Sequence, residues 1–261
     1  MDLGLQDKVI VVTGGGAGIG EAITRVCLAE GAYVVVLSRP SNNVKNFMSQ
    51  MEADRARCEL IPAELSDPKQ CESAITTILD RHRTIYGIVN NAGANDGIGL
   101  ASGNAEAFMN SLRSNLLHYY ALVHYALPAL KASKGAVVNI SSKVALTGQG
   151  GTSAYAAAKG AQLALTREWA AELLPFGIRV NAVLPAEVMT PLYRRWLDTF
   201  ADPTAKLKLI TDRIPLEHRM TTAAEIASAA VFLLSPTQSG HTTGQHLIVD
   251  GGYVHLDRAL T

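Results

Sequence analysis

The sequence is poor in cysteine, has no excess of charge of either sign and has no long apolar run, and each shortage excludes a class of protein. Its 261 residues include three cysteines, Cys27, Cys58 and Cys71, and no CxxC spacing. A disulfide framework is therefore not expected, and a reducing, cytoplasmic compartment is favoured. Basic and acidic residues both number 23, which argues against nucleic acid as a partner. The apolar runs are far shorter than the roughly 20 residues of a membrane span, and the N-terminus has no signal-peptide pattern.

Short β-rich runs alternate with longer helical patterns along the chain. The runs that indicate strands are 8–13, 33–38, 57–62, 85–90, 135–140, 178–183 and 245–250. Most are continuously apolar, which is typical of strands covered on both faces in a parallel sheet. Strands that alternate with crossover helices predict a single domain over 1–261, a doubly wound, Rossmann-type α/β sheet of about seven strands with helices on both faces.

One interval breaks this alternation. Residues 185–217 contain four prolines and follow the sixth predicted strand, where ligand crevices open in such sheets. We predict a substrate-covering lid of one or two short helices. A surface insertion without such a role is the alternative.

The first predicted strand leads directly into a glycine cluster that opens a helix. The string TGGGAGIG (13–20) places Gly14, Gly18 and Gly20 where a phosphate has to approach the backbone closely. The helix start offers unpaired N–H groups to that phosphate. Glu21 stands where a Walker loop requires lysine, so that motif is excluded. The pattern predicts a dinucleotide site.

The end of the second predicted strand bears on the choice between NADP and NAD. NAD-preferring sheets usually keep an acid there for the ribose diol, but this chain has Ser38 and Arg39 and no carboxylate. Ser38 can donate a hydrogen bond to a 2′-phosphate and Arg39 can pair with it, which favours NADP. Because Ala17 is not a second basic residue, NAD stays open.

Further strings complete a pattern that resembles the short-chain dehydrogenase/reductase family over essentially the whole chain. These strings are NNAG (90–93), SNLLHYY around Asn115, ISS (140–142) before YAAAK (155–159), NAVLPAEVMTP (181–191) and VDGGY (249–253). The resemblance implies an NAD(P)-dependent oxidoreductase with Asn115, Ser142, Tyr155 and Lys159 as its catalytic residues and with no metal.

The spacing of these residues fits that chemistry. Tyr155 and Lys159 stand four apart, so they share one face of a helix. A neighbouring ammonium and an oxidised nicotinamide ring both favour phenolate, which lets Tyr155 accept a hydroxyl proton. Ser142 would hold the reacting oxygen, and Ser141 is its adjacent alternative. By the resemblance Lys159 binds the nicotinamide ribose and Asn115 supports a water path, although Asn115 could instead bridge buried backbone groups.

The resemblance also implies further contacts with the cofactor. Ile19 is expected at the pyrophosphate, Glu64 and Leu65 at the adenine, Asn91 and Gly93 along the adenosine, and Pro185, Val188 and Thr190 at the carboxamide and phosphates.

The candidates for the substrate pocket are mostly polar. They are Asn95, Asp96, Gln149, Glu187, Tyr193 and the aromatic Trp196. A sugar requires several hydrogen-bond partners and a flat ring to stack on. The same strings resemble the bacterial L-fucose dehydrogenases within this family, which oxidise the anomeric hydroxyl of an aldopyranose to a lactone. We therefore expect a sugar substrate, with L-fucose as the first candidate.

Several alternatives remain at the substrate end. The tripeptide 95–97 is also a good turn, and Trp196 could be a core anchor. Lys143, directly after Ser142, is expected to be solvated. The runner-up function is that of a carbonyl reductase or hydroxysteroid-type dehydrogenase acting on an apolar or carrier-bound ketone.

Oligomerisation is the remaining expectation. The helical string YAAAKGAQLALTREWAAELL carries many small residues, which allow a neighbouring copy to approach closely. Together with the resemblance this favours a homotetramer, with the tail 254–261 reaching another subunit. The alternative is that these alanines pack only against their own sheet.

Overall fold

Seven parallel strands form the sheet of residues 2–51 and 56–256, the parts of the chain that the computed structural model describes. The strands are β1 Val9–Thr13, β2 Tyr33–Ser38, β3 Cys58–Pro62, β4 Gly87–Asn90, β5 Ala136–Ile140, β6 Arg179–Pro185 and β7 His246–Val249. The helices are α1 Gly18–Ala29, α2 Asn42–Gln50, α3 Pro68–His82, α4 Ala105–Leu112, α5 His118–Ser133, α6 Ser153–Glu172, α7 Pro191–Leu197, α8 Pro203–Thr211 and α9 Ala223–Leu234.

The strand order is β3-β2-β1-β4-β5-β6-β7, so the order reverses between β1 and β4. Val11 of β1 pairs in register with Val35 of β2 on one side and with Ile88 of β4 on the other. At such a reversal the connections leave in opposite directions and a crevice opens at the carboxyl ends of the strands. The predicted doubly wound fold is confirmed, and each strand lies within two residues of its predicted bounds.

Apolar side chains cover the sheet on both faces. One layer includes Ile75 of α3 and Trp169 of α6, and the opposite layer includes Ile23 of α1 and Ile226 of α9. Consecutive residues of one strand enter opposite layers, because side chains alternate along a strand. The continuous apolar runs in the sequence therefore have a direct structural cause.

The interval 185–217 contains the two short helices α7 and α8. Thr190 caps α7 by accepting the N–H of Tyr193 at 3.1 Å, and Asp202 caps α8 by accepting the N–H of Ala205 at 2.9 Å. Each helix has proline at its first position, where the missing N–H costs nothing. None of the helices within the described ranges is long and apolar enough to cross a bilayer. Residues 257–261 of the predicted subunit-contacting tail lie outside those ranges.

Candidate active site

A cleft of about 1380 Å³ opens at the carboxyl ends of the strands, beside the point where the strand order reverses. All predicted site residues except Gly20 line it. A ligand cleft for one drug-sized molecule measures roughly 300–1,000 Å³. The volume therefore suits a dinucleotide together with a small substrate.

The glycine turn after β1 forms one end of the cleft. Gly14 has a φ of 64° and Gly18 a φ of 57°, in the left-handed region that favours glycine. A β-carbon on Gly20 would overlap the carbonyl oxygen of Gly14, so Gly20 permits the tight turn rather than lining the cleft. The helix that starts here has no side-chain cap, which leaves its first N–H groups available to a phosphate. The turn fits the pyrophosphate of a dinucleotide.

The segment after β4 is anchored to the end of β1. Asn91 Nδ2 donates to the Thr13 carbonyl oxygen at 2.9 Å, and Thr13 Oγ1 accepts the N–H groups of Asn91 and Ala92 at 2.8 and 2.9 Å. A β-carbon on Gly93 would lie 2.8 Å from Asn115 Oδ1. Asn91 and Gly93 therefore hold two walls of the cleft together. Their contact with the adenosine stays a prediction.

Asn115 lies in a π-helical turn, Arg113–Leu117, between α4 and α5. Its Oδ1 accepts the N–H of Ala94 at 2.8 Å and its Nδ2 donates to the Ser111 carbonyl oxygen at 3.1 Å. The main-chain carbonyl oxygen of Asn115 accepts a hydrogen bond from Gln162 Nε2 at 2.7 Å. These are the backbone-bridging contacts of the alternative interpretation, and the water path stays a prediction.

Ser142 and Tyr155 meet at the centre of the cleft. Ser142 comes two residues after the end of β5, Tyr155 lies in the first turn of α6, and the Ser142 hydroxyl is close enough to the phenol to act on its pKa. Ser141 is buried and donates to the Lys159 carbonyl oxygen at 3.0 Å, so its hydroxyl is engaged with the backbone of α6. The geometry brings Ser142, and not Ser141, to Tyr155.

Lys159 lies one helical turn after Tyr155, with its Nζ 5.5 Å from the centroid of that ring. The ammonium donates to the Ile140 carbonyl oxygen at 2.8 Å and reaches Gln162 Oε1 at 3.3 Å and Tyr119 Oη at 3.5 Å. Three oxygens therefore hold the cation in place beside the phenol.

The electrostatics of this pair differ from the prediction. Burial raises the pKa of Tyr155 to about 12; the Ser142 hydrogen bond opposes the rise and Asp96 adds to it. Burial also lowers the pKa of Lys159 to about 7, which weakens the positive charge expected to favour phenolate. The protein groups alone thus shift the Tyr155 pKa in the direction opposite to the predicted one.

Ser38, Arg39, Glu64 and Leu65 line the part of the cleft that is predicted to take the adenosine end of the cofactor. The Arg39 side chain is 76% exposed, and its Nη1 lies 3.6 Å from Glu64 Oε2. Glu64 Oε1 accepts the N–H and Oγ–H of Ser66 at 3.1 and 2.9 Å. Burial acts to raise the pKa of Glu64, but these hydrogen bonds and the charges of Arg39 and His118 outweigh it and hold that pKa low. The sequence has no carboxylate at the end of β2. In the structure, however, the carboxylate of Glu64, which follows β3, lies beside Arg39.

The loop between β6 and α7 connects the cofactor end to the substrate end. Pro185 is the last residue of β6, and Val188 is buried in a bridge with Thr221. A β-carbon on Gly18 would lie 3.3 Å from Thr190 Cβ, so the cap of α7 packs against the glycine turn. These placements are compatible with the predicted cofactor contacts.

The substrate end of the cleft is lined by the predicted polar side chains and by an aromatic cluster. The side chains are those of Asn95, Asp96, Gln149, Glu187, Tyr193 and Trp196. Asn95 Oδ1 accepts the N–H of Gly97 at 3.1 Å, as in the turn interpretation. Trp196 is 43% exposed and packs edge-on against Tyr193 at 5.1 Å between ring centroids, so it is not a core anchor.

Lys143 is the residue at this end that sequence reasoning placed wrongly. Expected to be solvated, it is 7% exposed and its Nζ donates to Glu187 Oε1. Glu187 Oε2 accepts the Tyr193 hydroxyl at 2.6 Å. Glu187 is 44 residues from Lys143 in the chain, so no local pattern could reveal the pair.

The fold and this site define a class: oxidoreductases that bind a nicotinamide nucleotide at the carboxyl edge of a Rossmann-type sheet. A protein-family model described as "Enoyl-(Acyl carrier protein) reductase" matches residues 14–254. The chain belongs to the short-chain dehydrogenase/reductase family, as the sequence predicted.

Individual relatives cover nearly the whole chain. It is 36% identical to L-fucose dehydrogenase of Mus musculus over 94% of this chain and 88% of the relative. The crystal structure of Cj0485 dehydrogenase is 44% identical, with a TM-score of 0.94 over 100% of this chain and 99% of that chain. The structure of Thermoplasma acidophilum aldohexose dehydrogenase is 31% identical, with a TM-score of 0.87 over 97% and 96%.

Proposed function

We propose that the protein oxidises the anomeric hydroxyl of an aldose to a lactone by hydride transfer, with L-fucose as the first candidate. The observation that carries this proposal is one cleft that joins the Ser142–Tyr155 pair to a charged, hydrogen-bonding wall and an exposed indole ring. The mouse and Thermoplasma relatives, whose names state a fucose and an aldohexose substrate, support it.

The chain's own residues handle the proton. Ser142 Oγ and Tyr155 Oη together hold the substrate hydroxyl, and Tyr155 removes its proton as the C–H hydrogen leaves as hydride, so that the carbon becomes a lactone carbonyl. Lys159, held by the Ile140 carbonyl oxygen, positions a cation beside the phenol, and it binds the ribose by exchanging its longer bonds, to Gln162 and Tyr119, for ribose hydroxyls. The chemistry that an oxidised nicotinamide would supply when bound is a hydride acceptor and a positive charge that favours phenolate.

We further propose NADP as the preferred nucleotide. The exposed Arg39 guanidinium and the Ser38 hydroxyl suit a 2′-phosphate, because guanidinium pairs with phosphate through several N–H groups. Glu64, 3.6 Å from Arg39, competes for that guanidinium and repels a dianion. This opposition keeps NAD as a usable alternative.

The substrate wall favours a polyhydroxylated ligand. Asn95, Gln149 and Glu187 supply donors and acceptors, and Trp196 supplies an apolar face for the C–H groups of a pyranose ring. A steroid or acyl chain would leave the remaining N–H groups of Lys143 and the remaining lone pairs of Glu187 without a hydrogen-bond partner, which is costly.

The second candidate function is reduction of an apolar or carrier-bound ketone. It is favoured by the description of the matching family model and by Leu192, which is 46% exposed on α7 at the rim of the cleft. Tyr155, protonated at neutral pH by its raised pKa, would then donate rather than accept the proton.

A substrate screen separates the two functions. The protein is mixed with L-fucose, other aldoses, simple alcohols and apolar ketones, with each nucleotide in its oxidised or reduced form, and absorbance of reduced nicotinamide is followed. We expect oxidation of aldoses, fastest with L-fucose. Absence of reaction with every sugar, together with reduction of an apolar ketone, would replace the proposal by the second candidate.

The lid and the homotetramer complete the proposal. We propose that α7 and α8 cover bound substrate, since Trp196 and Lys206 from these helices line the cleft.

Small residues on the outer side of α6, Ala157 and Ala164 among them, are exposed and suit close packing against a second copy in a cytoplasmic homotetramer. Sedimentation of the protein tests the assembly.

A further inference from the structure

Lys143 and Glu187 form an ion pair inside the wall of the cleft. Lys143 opens the 3₁₀ turn Lys143–Ala145 directly after Ser142, and Glu187 follows β6. Their side chains are 9% and 13% exposed. Burying two opposite charges seldom stabilises a fold relative to apolar residues, because each charge loses its hydration. Stability alone therefore does not account for this pair.

The pair retains hydrogen-bonding capacity on its cleft side. Lysine has three N–H donors, and the hydrogen bonds of the described residues use one of them, on Glu187. The ring of Tyr253 covers another side of the ammonium, with its centroid 4.1 Å from Nζ. Each Glu187 oxygen accepts one bond, from Lys143 or from Tyr193, and has a further lone pair. A free donor and a free acceptor thus lie side by side.

We propose that this pair recognises ring hydroxyls of the sugar other than the one oxidised, which makes Lys143 a specificity-determining residue. The inference rests on the proposed sugar oxidation and deepens it. A hydroxyl group both donates and accepts, so neighbouring hydroxyls of a pyranose match an ammonium beside a carboxylate. Lys143, Glu187 and Ser142 line the same cleft, so the hydroxyls that the pair reaches belong to the sugar whose anomeric hydroxyl Ser142 holds.

The competing explanation is mechanical. The Tyr193 hydroxyl links Glu187 to α7, so the network could simply fasten the lid to the 3₁₀ turn. Fastening would affect all substrates equally, whereas recognition affects only those that carry the additional hydroxyls. The two explanations therefore differ in a measurable ratio.

The test compares wild type with Lys143→Met on the sugar that the wild type oxidises, on its deoxy analogues and on cyclohexanol. We expect kcat/KM for the sugar to fall by about 10²-fold or more, because a polar site then loses its partner. Cyclohexanol turnover and nucleotide affinity should change by less than about threefold, which is the usual effect of replacing a side chain that does not contact the ligand. For one deoxy analogue, the wild type should have a much lower kcat/KM than for the parent sugar. The Lys143→Met variant should have about the same kcat/KM for both.

Lys208→Met is the matched control. Lys208 pairs with Asp212 at 2.7 Å on α8 with 74% of its side chain exposed, and it does not line the cleft. The Lys208→Met variant should have the wild-type kcat/KM for both the sugar and cyclohexanol. If Lys143→Met does not fold, Lys143→Gln keeps one neutral donor and is expected to lose about tenfold on the sugar alone.

The outcomes separate the inference from the proposed function. If wild type oxidises no sugar, the proposed function fails. If wild type oxidises a sugar but the Lys143 variants lose equally on sugar and cyclohexanol, or lose on neither, the inference is overturned and the proposed function stands.

Discussion

The Lys159 ammonium donates to the Ile140 carbonyl oxygen at 2.8 Å while lying 5.5 Å from the Tyr155 ring centroid. Ile140 is the last residue of β5, and Ser142 follows two positions later. One strand end therefore fixes the cation and presents the serine whose hydroxyl acts on the pKa of Tyr155. The arrangement couples the geometry of the proposed proton transfer to the sheet itself.

Removing the phenolic oxygen should stop chemistry without preventing nucleotide binding. Tyr155→Phe is expected to reduce kcat by about 10²–10⁴-fold, the usual contribution of a positioned general acid or base. Nucleotide affinity, followed by fluorescence titration, should change little, because the glycine turn is untouched. Tyr120→Phe, at a tyrosine 52% exposed on α5, is the control. Turnover that persists in Tyr155→Phe would refute the assignment of the base.

The Arg39–Glu64 pair should set the balance between NADP and NAD. Arg39→Ala is expected to weaken NADP binding by about 10- to 100-fold, the worth of a hydrogen bond to a charged group, and NAD binding much less. Glu64→Gln removes the competing carboxylate 3.6 Å away and should strengthen NADP binding. Dissociation constants for both nucleotides provide the check. Equal losses of NADP and NAD in Arg39→Ala would contradict a 2′-phosphate contact.

His118 should make the fold sensitive to acid. It is fully buried at the start of α5, and burial together with the Lys159 charge lowers its pKa to about 3 from 6.5. Between those values the unfolded chain binds a proton that the folded chain does not, so stability falls as pH falls from 6.5 towards 3. The slope for one proton is at most about 1.4 kcal/mol per pH unit.

Replacing His118 should flatten that dependence. Urea unfolding of His118→Leu across this pH window is expected to show a smaller loss of unfolding free energy than wild type. His124→Leu, at an exposed position of the same helix, should keep the wild-type slope. An unchanged slope in His118→Leu would show that other groups carry the acid sensitivity.

Gly20 should tolerate no side chain. A β-carbon there would overlap the Gly14 carbonyl oxygen and lie 2.6 Å from Asn91 Nδ2, so Gly20→Ala must displace the turn. We expect loss of nucleotide binding by calorimetry and a lower melting temperature. Gly160→Ala, where the added carbon meets no described residue within 4 Å apart from its chain neighbours and the backbone of its own helix, should bind normally. Normal nucleotide binding by Gly20→Ala would argue against the turn as the pyrophosphate site.

The sequence by itself determined the sheet, the strand bounds and the family. These follow from local patterns: apolar runs covered on both faces, a glycine turn between β1 and α1, and a tyrosine and lysine four residues apart on α6. Each depends on residues close together in the chain, so spacing alone expresses the structural requirement.

Only the tertiary structure decided the partners of the charged groups. From the sequence, Lys143 is predicted to be a solvated surface lysine, but in the structure it pairs with Glu187, which follows β6. Arg39 is predicted to be an unpaired cation, but Glu64, which follows β3, lies 3.6 Å from it. Burial likewise reversed the expected direction of the Tyr155 pKa shift, since desolvation depends on everything packed around the phenol. Charge pairing and desolvation are set by distances through space, and parallel strands bring together residues that are far apart in sequence.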